Sequence, residues 1–512
     1  METLPLIVIQ QVLDDLGDNV VDVASFTLTC KRMYNNILVA QKTIHQVALS
    51  NTLMYWDENK EIDFTNSTRS SLTSLYLGDK YFKPLDYDLV LPDSLLTLNV
   101  GHTFNLLVVN TLPSSLLTLT FHPESQYNQS IGLRVLPTSL TSLSFGERFD
   151  KVIAPRVLPS SLKSLTFGNS FNQPFTVGTL PLSLTQLRFG LVFSHPLTKG
   201  IVPPSMTSCH MGTGFNSSLD GLPQSLTYLS LDSRYDHDLT GSIPQSLSTL
   251  HIGETSYKTL TRDGAHVLPS SLTSLHIEHM YFNEDSAVPL KYPTGLQSLT
   301  LATSFNRLIT TEMFPSTLTS LKFAHFDQDI LPGTIPPSLT NLQMGYAFNR
   351  TLIPGSLPTT LKTLEFGSSF NSYIPMGALP SSLTSLTLGL SFIQDIESGV
   401  LPPSLINMTV LSKSLDLIDI VYPMNLKCLT LRQWVDRIHV SLPSSLSTMT
   451  INTHRASPQL RKMTISLDQL IIPIVTNSSQ LTFNQNVMAS CWCVRLIKDM
   501  HCVSLQGLAV TY

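Results

Sequence analysis

Charged residues are scarce in this chain of 512 residues. Asp, Glu, Lys and Arg make up 13% of it, about half of the usual share, and the net charge is −5. A weakly acidic chain without basic runs has no electrostatic footprint for nucleic acid or for an anionic membrane surface. No apolar run approaches the roughly 18 residues that a membrane-spanning helix needs. We therefore expect no nucleic acid and no membrane among the partners.

Cysteine is also sparse. The six cysteines are scattered, and they are too few for a disulfide framework in a chain of this length. One of them, Cys209, stands where related segments of the chain have a core leucine, so we expect it to be buried. The first residues, METLPLIVIQ, lack the basic n-region of a secretory signal. We expect a reducing location inside the cell, cytoplasmic or nuclear.

Near the end of the chain, four side chains could in principle bind zinc: Cys491, Cys493, His501 and Cys502. The C-x-C pair lacks the C-x2-C spacing of common zinc sites. We therefore prefer to interpret this segment as a C-terminal cap. The sequence predicts no cofactor and no metal site.

One sequence motif recurs throughout the chain. It reads LPSSLKSLTFG at 158–168 and LPLSLTQLRFG at 180–190. A motif that repeats at a fixed period is the sequence signature of a solenoid. With the leucine of Ser-Leu as the mark, there are 18 units, spaced by 22 residues on average. The marks are Leu72, Leu95, Leu116, Leu140, Leu162, Leu184, Met206, Leu226, Leu247, Leu272, Leu296, Leu318, Leu339, Leu361, Leu383, Leu405, Leu426 and Leu446.

Each unit predicts one short strand. Counted from its mark, a unit has Pro at −3, Leu at 0 and +3, an apolar residue at +5, often Gly at +6, Phe at +9 and often Asn at +10. After Leu162, the apolar Leu165 and Phe167 alternate with Ser164 and Thr166. Alternation with a period of two indicates a strand with one buried face.

The rest of the unit predicts how the strands are connected. Glycine at +6, such as Gly168, is expected to release the chain from the strand because glycine tolerates a positive φ. The return path holds Pro174 and Gly178, which a helix interior would reject, so we expect it to be irregular or extended. Successive strands then lie parallel, about 4.8 Å apart. The predicted fold class is mostly β: an LRR-like parallel β solenoid of about 18 units of 22 residues, over residues 70 to 452.

The L-x-x-L-x-F core of the unit resembles leucine-rich repeats, with a different second half. The unit is more similar to the FNIP repeat family, named for the tetrapeptide that reads Phe171-Asn172-Gln173-Pro174 in this chain. The resemblance covers residues 70 to 452. It weakens after residue 400, where Met408 and Met449 replace the core leucine.

Residues 1–40 lack the repeat and show apolar residues at helical spacing, which predicts a small all-α module. It opens with Leu4-Pro5, continues with Val12-Leu13, Leu16, Asp22-Val23 and Phe26, and ends with Cys30-Lys31-Arg32. With these residues the segment resembles an F-box, the helical module through which substrate receptors dock on the Skp1 subunit of cullin-based ubiquitin ligases. A departure is Met33-Tyr34, where tryptophan or phenylalanine is common. The resemblance implies that the Skp1-binding residues are Leu4, Pro5, Ile9, Val12, Leu13, Leu16, Val23, Phe26, Cys30 and Lys31.

An alternative interpretation of residues 1–40 is that their helices only cover the exposed edge of the first strand. We expect residues 41–69 to be a helical linker and N-terminal cap. Residues 453–512 are expected to form the C-terminal cap of the stack.

A target-binding face is predicted from the side chains at +2 and +4, which form two columns on the open side of the sheet. Of these 36 positions, 22 are Ser or Thr, which solubility and β propensity alone would select. The exceptions cluster in the middle units, either as a recognition patch or through drift at tolerant surface positions. The candidate target-binding residues are Gln186, Arg188, His210, Tyr228, His251, His276, Lys322, Gln343 and Glu365.

No catalytic constellation is evident. The two columns contain one acid, Glu365, and the sequence around His276 and Glu278 lacks the H-E-x-x-H order of metalloproteases. The preferred hypothesis is therefore a non-enzymatic substrate-recruiting adaptor of an SCF-type (Skp1-cullin-F-box) ubiquitin ligase, which binds Skp1 and an unknown protein target. The alternative is a repeat-based interaction scaffold with no ligase connection.

Overall fold

The structure is a computed structural model of the chain. It describes residues 46–49, 52–55, 72–78, 91–232, 235, 237, 239, 241–256, 268–281, 291–301, 305–412, 420–431, 443, 445–451, 463–466, 492–496 and 503–507. These residues form strands, turns and irregular connections, and they contain no helix. The predicted F-box-like module at 1–40 lies outside the described residues.

The described strands follow one another at nearly even spacing. They are β1 (Gln46–Leu49), β2 (Thr52–Tyr55), β3 (Ser74–Leu77), β4 (Thr97–Val100), β5 (Thr118–Phe121), β6 (Ser142–Ser144), β7 (Ser164–Thr166), β8 (Gln186–Arg188), β9 (Ser208–Met211), β10 (Tyr228–Leu231), β11 (Thr249–Ser256), β12 (Ser274–Tyr281), β13 (Ser298–Leu301), β14 (Ser320–Phe323), β15 (Asn341–Gln343), β16 (Thr363–Glu365), β17 (Ser385–Leu388), β18 (Asn407–Val410), β19 (Cys428–Leu431), β20 (Thr448–Ile451), β21 (Met463–Ser466), β22 (Trp492–Leu496) and β23 (Val503–Gly507).

The strands stack as one long parallel ladder. From β2 to β20, each strand pairs in parallel with the next strand along the chain. Each of the 18 sequence marks is followed two residues later by one of the strands β3 to β20. Partners hold the same place in their units, as when Leu165 pairs with Leu143 on one side and Leu187 on the other. The predicted parallel β solenoid is confirmed.

The core is a column of leucines behind the sheet. In the unit of β7, Leu162 and Leu165 have no exposed surface and Phe167 has 2%. Each such side chain contributes roughly 1.5–3 kcal/mol by leaving water. Cys209 takes the +3 place of its unit and is fully buried, which raises the pKa of its thiol to about 12. It is therefore the inert core residue that the sequence predicts.

A second column, of aromatic rings, fills the space behind the leucines. Phe149, Phe171, Phe193 and Phe215 come from successive units, and their neighbouring ring centroids lie 6.0, 6.1 and 6.3 Å apart. The ring planes are within 11° of parallel. Each ring also stacks on the aromatic residue at +5 of its own unit where there is one, as Phe171 does on Phe167 at 3.9 Å. The return path is thereby anchored to the sheet.

A hydroxyl side chain before the mark, usually serine, connects most units to the one preceding them. The Ser161 hydroxyl donates to the carbonyl oxygen of Leu140 at 2.6 Å, so it satisfies a backbone acceptor just outside the strand. The same bond recurs along the solenoid, with threonine in two places. The other donors are Ser94, Ser115, Ser139, Ser183, Ser205, Ser225, Ser246, Ser271, Thr317, Ser338, Thr360, Ser382, Ser404 and Ser445.

Asparagine near +10 makes a further ladder on the return path. The Asn172 side-chain oxygen accepts from the backbone N–H of Ser194, and the Asp150 carboxylate accepts from the N–H of Asn172 at 2.9 Å. A second run joins Asn349 to Asn371 in the same way at 2.8 Å. These side chains bond to the adjacent unit, so they fix the return paths of the solenoid one against the next.

The glycine at +6 has a different role from the predicted one. A Cβ placed on Gly168 would lie within 3.0 Å of the backbone of Gly146 and Glu147, and one on Gly190 would meet Gly168 in the same way. The positive φ angles occur elsewhere, in the return path, as at Gly178 with φ of 84°. The expectation that the +6 glycine supplies a positive φ is therefore wrong. Gly168 and Gly190 are glycines because the backbone of the preceding unit is too close for a side chain at these positions.

Both ends of the parallel ladder carry an antiparallel strand. At the start, β1 pairs antiparallel with β2, which pairs with β3, and at the far end β21 pairs antiparallel with β20. The prediction of helix within 41–69 is wrong for β1 and β2, because an open strand edge is satisfied by another strand. The two short apolar runs QVAL and TLMY, separated by Ser-Asn, are the hairpin signal for it. A separate hairpin joins β22 and β23.

Within the part of the chain that the structure describes, no helix is long and apolar enough to cross a membrane.

Filling the glycine column should destabilise the solenoid. We expect Gly168→Ala to lower the free energy of unfolding by roughly 1–3 kcal/mol, since the added methyl group forces two backbones apart. Gly132→Ala is the matched control, because its nearest neighbour would be a side-chain methyl of Val135 at 3.8 Å. Urea denaturation followed by circular dichroism measures both. Equal midpoints for the two variants would contradict the crowding argument.

Candidate functional site

The side chains at +2 and +4 lie on the face of the sheet opposite the leucine core. Along β8 the exposed Gln186 and Arg188 flank the buried Leu187, and the same alternation continues through the following strands. Because the strands are in register, each column is continuous from unit to unit. We call the face formed by these two columns from β8 to β16 the strand face. It is about 38 Å long, at the usual strand spacing.

The structure places all nine predicted target-binding residues on the strand face. In the +4 column, direct partners in the ladder are Arg188 and His210, then His251 and His276. Lys322, Gln343 and Glu365 follow as three consecutive partners, and Ser230 and Thr300 fill the remaining places of the column. In the +2 column lie Gln186, Tyr228 and also Asn341. Whether this face binds a target stays a prediction.

A polar network runs across the middle of the strand face. Nε2 of His210 lies 3.1 Å from Oδ2 of Asp232. The buried Ser230 hydroxyl donates to the other carboxylate oxygen of Asp232 at 3.0 Å and lies 3.4 Å from Nδ1 of His251. Three neighbouring units are thereby linked through side chains.

A carboxylate and two imidazoles continue this network. The ring centroids of His251 and His276 are 4.3 Å apart, with their planes at 89°. Oε1 of Glu278 lies 3.2 Å from Nε2 of His251 and 3.9 Å from Nε2 of His276. One donor atom from each of these three residues falls within 4.8 Å of the others, which is the composition and spacing of a metal-binding group.

Two residues of this network were missed by the sequence analysis, which considered only +2 and +4. Asp232 and Glu278 stand at +6, where ten other units have glycine, and they project beside the +4 histidines. An acid in place of the glycine, next to a histidine at +4, was the signal that could have identified them. The +2 and +4 columns contain the single acid Glu365, and the two acids at +6 lie beside them.

The charges of the network shift two pKa values. Burial alone would raise the pKa of the Asp232 carboxyl, but the hydrogen bond and charge of His210, with help from Ser230 and His251, lower it. Burial lowers the pKa of His276 below its ordinary 6.5, and the charges of His251 and Lys322 lower it further against the opposing charge of Glu278. Near neutral pH the strand face therefore presents a neutral imidazole at His276, with Glu278 3.9 Å away.

The predicted Skp1-binding residues lie outside the described residues. So do Cys491, His501 and Cys502, three of the four side chains near the end of the chain that were considered as zinc ligands. Cys493 belongs to β22, of which only the backbone is described.

A family profile matches several segments of the solenoid. A profile described as FNIP Repeat matches residues 127–170, 171–214, 215–255, 326–369 and 370–409. These segments are FNIP repeats. Each of them holds two strands, such as β6 and β7 in the first, so one FNIP repeat corresponds to two turns of the solenoid.

One solved structure, that of CroV588, supports the fold. The chain is similar to CroV588, a circular LRR protein, with 33% identity and a TM-score of 0.55 over 75% of this chain and 63% of that one. It thus spans less than two thirds of the CroV588 chain. It is also similar to YopM from Yersinia enterocolitica, with 18% identity and a TM-score of 0.36 over 71% of this chain and 88% of that one. The mouse RP105/MD-1 complex matches with 16% identity and a TM-score of 0.48 over 80% and 75% of the two chains.

No curated protein sequence matches the chain. The FNIP repeats and the similarity to CroV588 identify an LRR-like repeat solenoid. Such solenoids present an extended surface that is suited to protein interaction.

The pKa of His276 predicts a pH dependence of stability. Because its folded pKa is below 6.5, the unfolded chain binds more protons here, so stability falls as the pH drops from 6.5 toward the folded value. We expect His276→Gln to lose less stability than the wild type between pH 7.5 and pH 5.5. Urea midpoints at the two pH values, measured with a chelator present, test this. A larger loss in the variant would reverse the sign and contradict the assignment.

Proposed function

We propose that this protein is a non-enzymatic adaptor that recruits a protein target to an SCF-type ubiquitin ligase. Residues 1–40 would dock on Skp1, and the strand face of the solenoid would hold the target. The observation that carries the proposal is a solenoid with one continuous polar face, preceded in the chain by a segment that resembles an F-box. The protein would act inside the cell, in the cytoplasm or nucleus, where such ligases work.

The solenoid is well suited to hold a target. Its strands are fixed by hydrogen bonds to both neighbours, so the side chains at +2 and +4 are displayed on a rigid surface. Arg188 and Lys322 are exposed cations on this face, and Glu365 adds an anion two strands beyond Lys322. Mixed charges along a rigid surface provide selectivity for a partner with the complementary pattern.

The absence of catalysis is part of the proposal. The Ser230 hydroxyl lies 3.4 Å from Nδ1 of His251, but it is buried and its proton is donated to Asp232. A serine nucleophile needs its proton directed to a histidine base, so this arrangement does not activate Ser230. The adaptor would contribute proximity, by keeping the target beside a separate ubiquitin-loading enzyme.

The F-box-like segment can be tested with purified Skp1. We expect the full-length protein to bind Skp1, and deletion of residues 1–40 or Leu13→Asp to abolish that binding, since Leu13 belongs to the apolar set that the resemblance assigns to Skp1. Gln10→Asp is the control, because it adds the same charge outside that set. Absence of any Skp1 binding by the wild type would rule out the adaptor and leave an interaction scaffold.

The strand face can be tested by charge reversal. Target proteins captured by the full-length chain would be identified, and the affinity of a purified target measured for Arg188→Glu combined with Lys322→Glu. We expect at least about a tenfold loss, the effect of 1.4 kcal/mol at one hot-spot residue. The control combines Lys199→Glu with Lys291→Glu, which reverses two exposed lysines between strands. Equal affinities for the two double variants would place the target site elsewhere.

A further inference from the structure

Two strands in the middle of the solenoid differ from the others. β11 and β12 each have eight residues, whereas the other described strands have three to five. They stay paired beyond the usual end of a strand, with Glu254 opposite His279. The +6 position of β12, Glu278, is therefore still within a strand and lies two residues after His276, on the same face.

The neighbouring strand leaves room for the Glu278 side chain. Its +6 residue is Gly253, and a Cβ there would overlap the carbonyl oxygen of Asp232. This glycine cannot be replaced, and the place beside Glu278 holds no side chain. Glu278 can therefore reach across to His251, as its 3.2 Å distance to Nε2 shows.

The hydrogen bonds of Ser230 orient the His251 ring. Since the Ser230 hydroxyl donates to Asp232, its oxygen can only accept from Nδ1–H of His251, at 3.4 Å. Nε2 of His251 then faces a carboxylate oxygen of Glu278, so either a proton on Nε2 or a metal ion lies between these two atoms. In metal sites, the histidine ring is commonly held in position by a hydrogen bond from its other nitrogen, as Nδ1 of His251 makes here.

We propose that His251, His276 and Glu278 bind one divalent transition-metal ion on the strand face. In a tetrahedral zinc site with bonds of about 2.1 Å, ligand atoms are about 3.4 Å apart. The distances from Glu278 to the two imidazole nitrogens, 3.2 and 3.9 Å, are already close to this value. The three donor atoms lie within 4.8 Å of one another, so small side-chain rotations complete the triangle.

The ligand set selects the class of ion. Two imidazoles and one carboxylate suit Zn²⁺ and its neighbours in the transition series, whereas Mg²⁺ and Ca²⁺ require mostly oxygen ligands. The side chains of His251, His276 and Glu278 are 25%, 38% and 48% exposed, so a fourth coordination position faces solvent. The proposal goes beyond the adaptor function and holds whether or not the chain binds Skp1.

Cobalt binding tests the site directly. Full-length protein, stripped with a chelator and desalted, would be titrated with Co²⁺ and followed by its visible absorption. We expect the wild type to bind one equivalent of Co²⁺ more than His276→Ala does. Zn²⁺ should displace this Co²⁺, and Mg²⁺ should not. Glu278→Gln should weaken Co²⁺ binding at least about tenfold, since even outer-shell changes at metal sites cost 10–100-fold.

A second histidine pair provides the control. The rings of His102 and His122 also meet edge to face, with centroids 6.4 Å apart, and they do not belong to the three-residue group. The double variant His102→Ala, His122→Ala should bind Co²⁺ as the wild type does. Circular dichroism would verify that each variant keeps its fold. Equal Co²⁺ binding by the wild type and His276→Ala, or no binding by the wild type, would overturn the proposal.

Discussion

Hydrogen bonds between neighbouring turns hold this solenoid together. Strand ladders join the sheets of adjacent units, serines such as Ser161 bond to the mark carbonyl of the unit before, and Asn172 and its equivalents connect the return paths. Every one of these bonds joins residues about 22 positions apart, so none of them can form within a single unit. An isolated unit would expose the same groups to water and lose its core, which is why the period has to be kept along the chain.

The same stacking explains the composition. Ser and Thr replace charged residues because they occupy ladder positions in which a short hydroxyl side chain reaches a carbonyl of the adjacent unit. The glycine column follows from backbones that touch at +6, and the aromatic column fills the space that the return path leaves behind the leucines. At these positions, the choice of residue is therefore set by contacts with the adjacent unit rather than by neighbours in sequence.

The sequence predicted the parts of this structure that alternate or recur. Alternation of Leu165 and Phe167 with polar residues is a local signal, and its return at a fixed period was enough to predict parallel strands in register. Features that depend on distances between units were not predictable in this way. Crowding at Gly168 requires knowledge of where Gly146 lies. Glu278 joins the histidines because β12 continues to Tyr281, beyond the +5 position at which the repeat pattern ends the strand.

The histidine and carboxylate network lies at the two strands that depart most from the usual strand length. Long strands, an acid in place of glycine and two adjacent histidines all occur in the units of β11 and β12, on a face that elsewhere consists largely of Ser and Thr. The spacing between marks varies from 20 to 25 residues without disturbing the ladder. One consequence concerns how such a protein can change over generations: duplication or loss of a whole unit would lengthen or shorten the surface by one strand width, while the contacts of all remaining units stay as they were.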